Sequence, residues 1–301
     1  MPHTIHTPSL RIPIEPLTQT TFSSFGTVVE NPLSPENALP SNQGSALKYV
    51  DISRLTNSYS LAPSRKPARA EMNMFVCKPR QLQHISSLSY SRGSPTKQMS
   101  VDNDGLSGTT HAEKALPDVK ILERHPFTSQ TFIPLGLAPA DTSASYLVIV
   151  APTLPASASR AQNARPPPFP QPEPRRRSSL LDVFSRGRPS PFTNLSSPPS
   201  SSPTASPSPQ PPKGPGMPDL ANIKAFVARG DQAVTYAAGT WHAPMVVLGA
   251  EDVAFVVVQF ANGVGLEDCQ EVELIGSDGL GISVVVEDGG TGVVNAVRAK
   301  L

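Results

Sequence analysis

Short apolar runs separated by turn residues recur along this chain, and such a pattern favours strands over long helices. The two longest apolar runs, residues 146–150 and 253–258, have the length of buried strands and are far too short to span a bilayer. Residues 72–77 alternate and predict another strand, which ends before Pro79. The hydrophobic pattern therefore predicts a protein built mainly from short strands.

The first thirty residues predict a strand, a short helical turn and a second strand. Phe22 and Phe25 lie in the helical turn, which Thr18 can cap and Gly26 can end. The second strand is expected at residues 27–30. This segment is the expected opening of the folded domain.

Residues 217–260 predict a short helix followed by strands. Asp219 is placed to cap the helix, and apolar or amphipathic residues at positions 220, 223, 224 and 227 would form one helical face. The following strands are expected at residues 232–236, from 241 onward and at 251–260. Short strands, turns and few helices together predict a mainly β protein, an antiparallel double-sheet β-barrel with a few short helices.

Two segments interrupt this pattern. Proline and serine make up almost half of residues 155–216, a composition that cannot bury enough apolar area to offset the entropy of ordering. Residues 85–115 are rich in Ser, Gly, Thr and Asn and also read as a flexible insertion. We therefore expect one domain over residues 9–275 with two insertions, followed by a Gly-rich tail over 276–301.

Charge and cysteine content exclude several classes of protein. The formal net charge is +1, so nothing indicates a nucleic-acid partner or electrostatic binding to a membrane. The N-terminal stretch MPHTIHTPSL has no apolar core of a signal peptide, which argues against secretion. Cys77 and Cys269 are isolated, and we expect two free thiols in a reducing compartment.

Residues 121–136, ILERHPFTSQTFIPLG, concentrate the candidate chemistry. In a strand, alternate side chains share a face, so Glu123 and His125 would point one way and Arg124 the other. A carboxylate beside an imidazole inside a barrel would form a small polar site. The alternative is a strand end with solvated charges.

Several motifs in the same order resemble the ureidoglycolate lyase family. They are the ERHP…Q…FIPL run, the later PDL…KAF…G.Q.V.Y…G.WH.P run, and an early Asn42-Gln43-Gly44 turn followed by Lys48-Tyr49 and Asp51. The resemblance covers most of residues 11–275 outside the two insertions. It implies a cupin-type fold and a homodimer.

The resemblance also implies an activity, the cleavage of (S)-ureidoglycolate to glyoxylate and urea in allantoin degradation. That elimination needs a base, an acid and a clamp for the substrate carboxylate. The implied catalytic residues are His125, His242 and Glu123. Lys48 is favoured as the clamp over Arg124, because strand alternation turns Arg124 away from His125. The remaining candidate substrate contacts are Asn42, Tyr49, Asp51, Gln130, Tyr236 and Trp241.

The residues of this site leave open whether it binds a metal ion. Cupins commonly bind one, and the corresponding places are held here by Glu123, His125, Gln130 and His242. Gln is a poor neutral donor, so a pocket that requires no cofactor is expected, with a divalent ion as the alternative.

Two other functions are compatible with the sequence, and its last three residues resemble a targeting signal. Val76 stands where relatives often carry Arg, which would suit a cupin-like binding or sensor protein without catalysis. A metal-dependent ureidoglycolate hydrolase that releases ammonia is the second alternative. The final tripeptide Ala299-Lys300-Leu301 resembles a peroxisomal address, so a peroxisomal location is expected as readily as a cytoplasmic one.

Overall fold

The computed structural model describes residues 3–32, 36, 38–84, 114–116, 118–137, 144–155, 213–276 and 281–286. Strands dominate this part of the chain. They are β1 (His3–Thr7), β2 (Leu10–Pro16), β3 (Gly26–Val29), β4 (Leu39–Ser41), β5 (Ala46–Lys48), β6 (Arg69–Cys77), β7 (Gln83–His84), β8 (Lys114–Leu116), β9 (Ile121–Arg124), β10 (Gln130–Pro134), β11 (Ser145–Ala151), β12 (Lys224–Arg229), β13 (Ala233–Tyr236), β14 (Trp241–His242), β15 (Val246–Leu248), β16 (Val253–Ala261), β17 (Gln270–Gly276) and β18 (Ile282–Val286). The α-helices are the single turns α1 (Gln19–Phe22) and α2 (Gly265–Asp268), and 3-10 turns lie at Asn42–Gly44, Tyr59–Leu61 and Leu220–Asn222.

Two sheets form the barrel. The larger has the strand order β1-β17-β9-β14-β11-β12-β2-β18-β8-β7, with β15 also paired to β11. The smaller has the order β3-β13-β10-β16-β6, and a separate hairpin consists of β4 and β5. The mainly β, cupin-type fold is thus confirmed, although β1–β17, β2–β12 and β2–β18 are parallel pairs within an otherwise antiparallel arrangement.

The inner faces of the two sheets enclose an aromatic core. Phe132 and Phe255 of the small sheet face Tyr146 and Phe226 of the large sheet, and all four are buried. A second apolar cluster covers the other face of the large sheet and contains Leu122, Leu147, Ile149, Val227 and Trp241. Each fully buried large apolar side chain contributes about 1.5–3 kcal/mol. Strands of the large sheet are therefore apolar on both faces and show as continuous runs in the sequence.

The predicted opening of the domain is confirmed. Thr18 caps α1 through its side chain and forms a capping box with Thr21. Phe22 is fully buried in the aromatic core. Gly26 begins β3 where the backbone approaches closely, since a Cβ there would lie 1.9 Å from the carbonyl oxygen of Thr235.

The predicted helix after Asp219 is wrong beyond its first turn. The Asp219 side chain accepts a hydrogen bond from the Ala221 amide, but only Leu220–Asn222 is helical and Lys224–Arg229 is strand β12. Val227 packs in the cluster on one face of the sheet and Phe226 in the aromatic core on the other. Burial on both faces of a central strand produced an apolar spacing that resembles a helix.

The first expected insertion and the expected tail each contribute a strand to the large sheet. Strand β8 comes from the end of the first insertion and β18 from the Gly-rich tail; they pair with each other, and β18 also pairs with β2. Ile282 and Val284 of β18 are fully buried. The folded domain therefore extends to residue 286. The rest of the first insertion, most of the second and residues 287–301 lie outside the described residues.

Within the described residues, no helix is long and apolar enough to cross a membrane.

Candidate active site

A carboxylate and two imidazoles meet at the inner face of the large sheet. Glu123 on β9 and His242 on β14 are directly paired across the two strands, and Oε1 of Glu123 lies 3.4 Å from Nε2 of His242. His125 follows β9, and its ring centre is 5.7 Å from that of His242. Both histidines are more than nine-tenths buried. The three side chains predicted as catalytic therefore form one cluster.

His125 is held by the backbone at Asp268. Its Nδ1 lies 2.6 Å from the carbonyl oxygen of Asp268, so the neutral ring carries its proton on Nδ1 and leaves the Nε2 lone pair free. That Nε2 atom is buried and has no hydrogen-bond partner among the described residues. Burial, with the nearby His242, lowers the pKa of His125 to about 4. His125 is thus a neutral proton acceptor aimed into the cluster.

His242 is held between a carbonyl and an aromatic ring. Its Nδ1 lies 3.0 Å from the carbonyl oxygen of Thr240, and its ring stacks on Tyr236 with centres 4.0 Å apart and an angle of 13°. Both of its ring nitrogens therefore approach acceptors, the Thr240 carbonyl and the Glu123 carboxylate.

Glu123 is a partly buried carboxylate kept ionised by its neighbours. Burial would raise the pKa of Glu123, but the adjacent His242 and the more distant His125 together lower it below the usual value. Its second oxygen, Oε2, lies 4.0 Å from Sγ of Cys269. Burial and the charge of Glu123 raise the pKa of Cys269 to about 12, so this thiol remains protonated and is a weak donor rather than a nucleophile.

Gln130 lies on the small sheet opposite this cluster, beside Tyr236. The two residues are cross-strand partners on β10 and β13, and Gln130 is also paired with Gln259 on β16. Nε2 of Gln130 donates a 2.8 Å hydrogen bond to Oε1 of Gln259. Gln259 was not predicted from the sequence, although it is the one polar side chain in the apolar run of β16 and would have been a reasonable candidate.

Arg124 and Trp241 were predicted as substrate contacts, but they lie on the opposite face of the sheet. Arg124 donates to Oε1 of Gln270 and to the carbonyl oxygens of Gly214 and Gly216, and its guanidinium lies 4.5 Å from the centre of the Trp241 ring. Trp241 also donates to the Gly216 carbonyl. The two side chains therefore anchor the chain where it re-enters the fold after the Pro/Ser-rich insertion.

The early motif residues lie on an exposed hairpin. Asn42 forms its tip with a φ of 49°, Lys48 ends β5, and Asp51 pairs with Arg54 at the surface. Tyr49 follows β5 and is partly exposed. Within the described residues, no hydrogen bond or ion pair joins any of the four to the Glu123 cluster. Val76 also points outward, next to Ala254, so it is not part of this pocket.

The cluster fits a divalent cation. One donor atom each from Glu123, His125 and His242 lie within 4.8 Å of one another. Each histidine directs Nδ1 to a backbone carbonyl and Nε2 to the cluster, an arrangement typical of metal-binding histidines. Gln130, the fourth predicted ligand, instead pairs with Gln259.

Two buried histidines beside a partly buried carboxylate inside a cupin-type barrel are typical of an enzyme site for a small molecule. Comparison with known proteins gives the family: residues 9–277 match the model of the ureidoglycolate lyase family. The chain belongs to this family, as its motifs predict.

Relatives from fungi and bacteria agree. A ureidoglycolate lyase of Schizosaccharomyces pombe is 27% identical over 86% of this chain and 90% of its own length. A ureidoglycolate lyase of Saccharomyces cerevisiae is 26% identical over 79% of each chain, and one of Burkholderia mallei is 23% identical over 85% of this chain and 86% of its own.

Proposed function

We propose that this protein is a lyase that cleaves (S)-ureidoglycolate into glyoxylate and urea. The observation that carries the proposal is the pair of buried histidines in a member of this family, each with an Nε2 atom that has no hydrogen-bond partner among the described residues, clustered with the Glu123 carboxylate. These histidines can supply the base and the acid that the elimination requires. The inactive-binder and hydrolase alternatives are not favoured by the family or by its named relatives.

The two histidines differ in their surroundings, and this assigns their roles. Nε2 of His125 accepts the proton of the substrate hydroxyl as the carbonyl of glyoxylate forms. The C–N bond breaks, and His242, whose Nε2 lies 3.4 Å from Oε1 of Glu123, donates its Nε2 proton to the departing nitrogen, which leaves as urea. One proton leaves oxygen and one arrives at nitrogen, so the reaction is balanced, and proton exchange between the histidines through solvent restores the site.

The reaction in this form requires no metal. A divalent ion held by Glu123, His125 and His242 would supply Lewis-acid polarisation of the substrate oxygens. The test is to incubate purified protein with (S)-ureidoglycolate, with and without a chelator, and to measure urea, ammonia and glyoxylate. Urea and glyoxylate in equal amounts support the lyase, and their persistence with chelator supports the metal-free form. Ammonia that disappears with chelator, or no turnover, would contradict the proposal.

A homodimer explains the apolar surface of the small sheet. Met72, Met74 and Val76 project from its outer face on edge strand β6, and each is more than 60% exposed. Leu39 and Leu47 are similarly exposed on the β4–β5 hairpin. Contiguous apolar patches of this kind mark interaction surfaces. Because one chain carries both an apolar hairpin and an apolar face, two copies related by a twofold axis can cover both surfaces at once.

The dimer also offers a source for the carboxylate clamp, because no cationic side chain among the described residues forms an ion pair or hydrogen bond with the Glu123 cluster. Arg124 is turned away from the site, and Lys48 lies on the exposed hairpin of its own chain. In this proposal the hairpin of one copy carries Lys48 to the site of the other. Light scattering on the purified protein tests the dimer: Met74→Glu should yield monomer, whereas Lys224→Glu on a different surface should not.

The peroxisomal location stays a prediction from Ala299-Lys300-Leu301, which lie outside the described residues. Because β18 belongs to the barrel, the reporter for this test should carry residues 287–301 alone. Diffuse cytosolic fluorescence of that fusion would contradict a peroxisomal address.

A further inference from the structure

One buried acceptor near the Glu123 cluster has no partner. Oε1 of Gln130 is enclosed and accepts no hydrogen bond from any described residue, and the side chain as a whole is only 5% exposed. The other end of the same amide is used, since Nε2 donates to Oε1 of Gln259. Buried polar atoms are nearly always satisfied, so a free acceptor beside a candidate active site is available to a water molecule or a ligand.

The free acceptor on the small sheet is linked to His242 of the large sheet through Tyr236. Gln259, Gln130 and Tyr236 occupy adjacent positions on strands β16, β10 and β13. Cross-strand neighbours have Cβ atoms about 4.5–5.5 Å apart. Tyr236 in turn stacks on His242. The row therefore runs without a gap from Gln259 to the residue that protonates the leaving nitrogen.

The chemistry of the substrate decides which group this acceptor takes. A carboxylate would be repelled by Oε1, and the hydroxyl proton is transferred to His125. The ureido group is the part of the substrate that presents N–H donors, and its inner nitrogen must lie at His242. Its terminal NH2 then points away from His242, toward Gln130 on the small sheet.

We infer that Gln130 and Gln259 form a subsite for the ureido group. Oε1 of Gln130 accepts a hydrogen bond from the terminal NH2 of the substrate, and Gln259 is a positioning residue that binds the other end of the Gln130 amide. A Gln130 amide rotated by 180° would turn its Nε2 donor toward the substrate NH2 group. The hydrogen bond from Nε2 of Gln130 to Oε1 of Gln259 disfavours this rotation. The inference rests on the proposed lyase function. It adds the residues that recognise the ureido group, the part of the substrate that leaves as urea.

The test compares two substrates that differ only at the terminal nitrogen. Ureidoglycolate carries two N–H bonds there, and its terminal N,N-dimethyl analogue carries none while keeping the hydroxyl, the carboxylate and the leaving nitrogen. Wild-type protein should lose about 100-fold in kcat/KM with the analogue, because a site built for an N–H donor rejects a substrate that lacks it. Gln259→Leu should lose about 10-fold with ureidoglycolate and less than about 2-fold with the analogue.

Two variants serve as controls. Gln259→Glu keeps a carboxylate acceptor for Nε2 of Gln130 and should stay within about 3-fold of the wild type with ureidoglycolate. Gln83→Leu, on the exposed strand β7, should leave kcat/KM unchanged with both substrates. Equal losses on both substrates for Gln259→Leu, or no preference in the wild type, would overturn the subsite while leaving the lyase intact. Wild-type protein that releases neither urea from ureidoglycolate nor N,N-dimethylurea from the analogue would overturn the lyase and the subsite together.

Discussion

The backbone carbonyl of Asp268 accepts a hydrogen bond from His125, while the Asp268 side chain is held by Tyr59. The Tyr59 hydroxyl donates to Oδ1 of Asp268 at 2.6 Å, and the amides of Asn262 and Gly263 donate to the same carboxylate. Tyr59 is almost fully buried. The orientation of His125 therefore depends on a residue more than sixty positions earlier in the chain.

Tyr59→Phe should reduce kcat by between about 3- and 30-fold, because a slightly misplaced base loses much of its effect. It should also destabilise the fold by about 1–3 kcal/mol, since the Asp268 carboxylate loses a donor. The matched control is Tyr146→Phe, which removes a buried hydroxyl that donates to the Gln232 carbonyl. That control should lose stability and keep kcat. Equal kcat losses in both variants would show a general packing effect rather than positioning of His125.

His125→Ala and His242→Ala should each lower turnover by at least about 100-fold, the usual scale for a lost general acid or base. Both variants should keep native circular dichroism, because each leaves a polar cavity that water can fill. Steady-state kinetics of urea release is the measurement. Near-full activity in either variant would remove that histidine from the mechanism.

The pH dependence of stability should reveal the buried, neutral His125. The unfolded chain takes up this proton below about pH 6.5, whereas the folded protein takes it up only near pH 4. Between these values the unfolded state binds more protons, so the free energy of unfolding falls as the pH is lowered through this window, by roughly 3 kcal/mol.

Denaturant titrations of chelator-treated protein at pH 7, 5.5 and 4.5 are the measurement for this effect. The comparison is with His125→Asn, which lacks the titrating group. The depressed pKa of Glu123 acts in the same direction in both proteins, so the difference between them isolates His125. Parallel curves for the two proteins would contradict a neutral His125.

Local sequence patterns predict part of this site. Strand alternation alone separates Glu123 and His125 from Arg124, and the motifs add His242. The roles of Gln259 and Asp268 could not be predicted, because Gln259 depends on the register between β10 and β16 and Asp268 acts through its backbone carbonyl. Long-range strand register is not encoded in any short window.

The fold shows the same division between local and long-range information. The turn capped by Thr18 is a local signal and was found. Strands β8 and β18 fall in segments that the sequence predicts to be flexible, because β8 has only two apolar residues and β18 only four, each within a loop-like composition. Only pairing with each other and with β2 makes them part of the barrel.

Deletion of residues 160–212 with a short Gly/Ser linker should leave activity within several-fold of the wild type, because long surface insertions carry little folding energy. The deletion retains Gly214 and Gly216, whose carbonyls hold Arg124. A deletion extended through Gly216 is the informative contrast, and it should lose soluble protein. Insoluble protein from the shorter deletion would show that the segment packs on the barrel.

The shared site of the proposed dimer can be tested by mixing two inactive variants. Lys48→Ala removes the clamp and His242→Ala removes the acid. If the hairpin of one copy serves the site of the other, a heterodimer of the two variants has one site with both defects and one intact site. Random exchange makes half of the dimers mixed, so activity should recover to about a quarter of the wild-type value.

The matched control is a mixture of His125→Ala and His242→Ala. These residues belong to the same copy's cluster, so every site keeps one defect and no activity should return. Absence of recovery in the first mixture, with subunit exchange verified by differently tagged chains, would place Lys48 outside the partner's site.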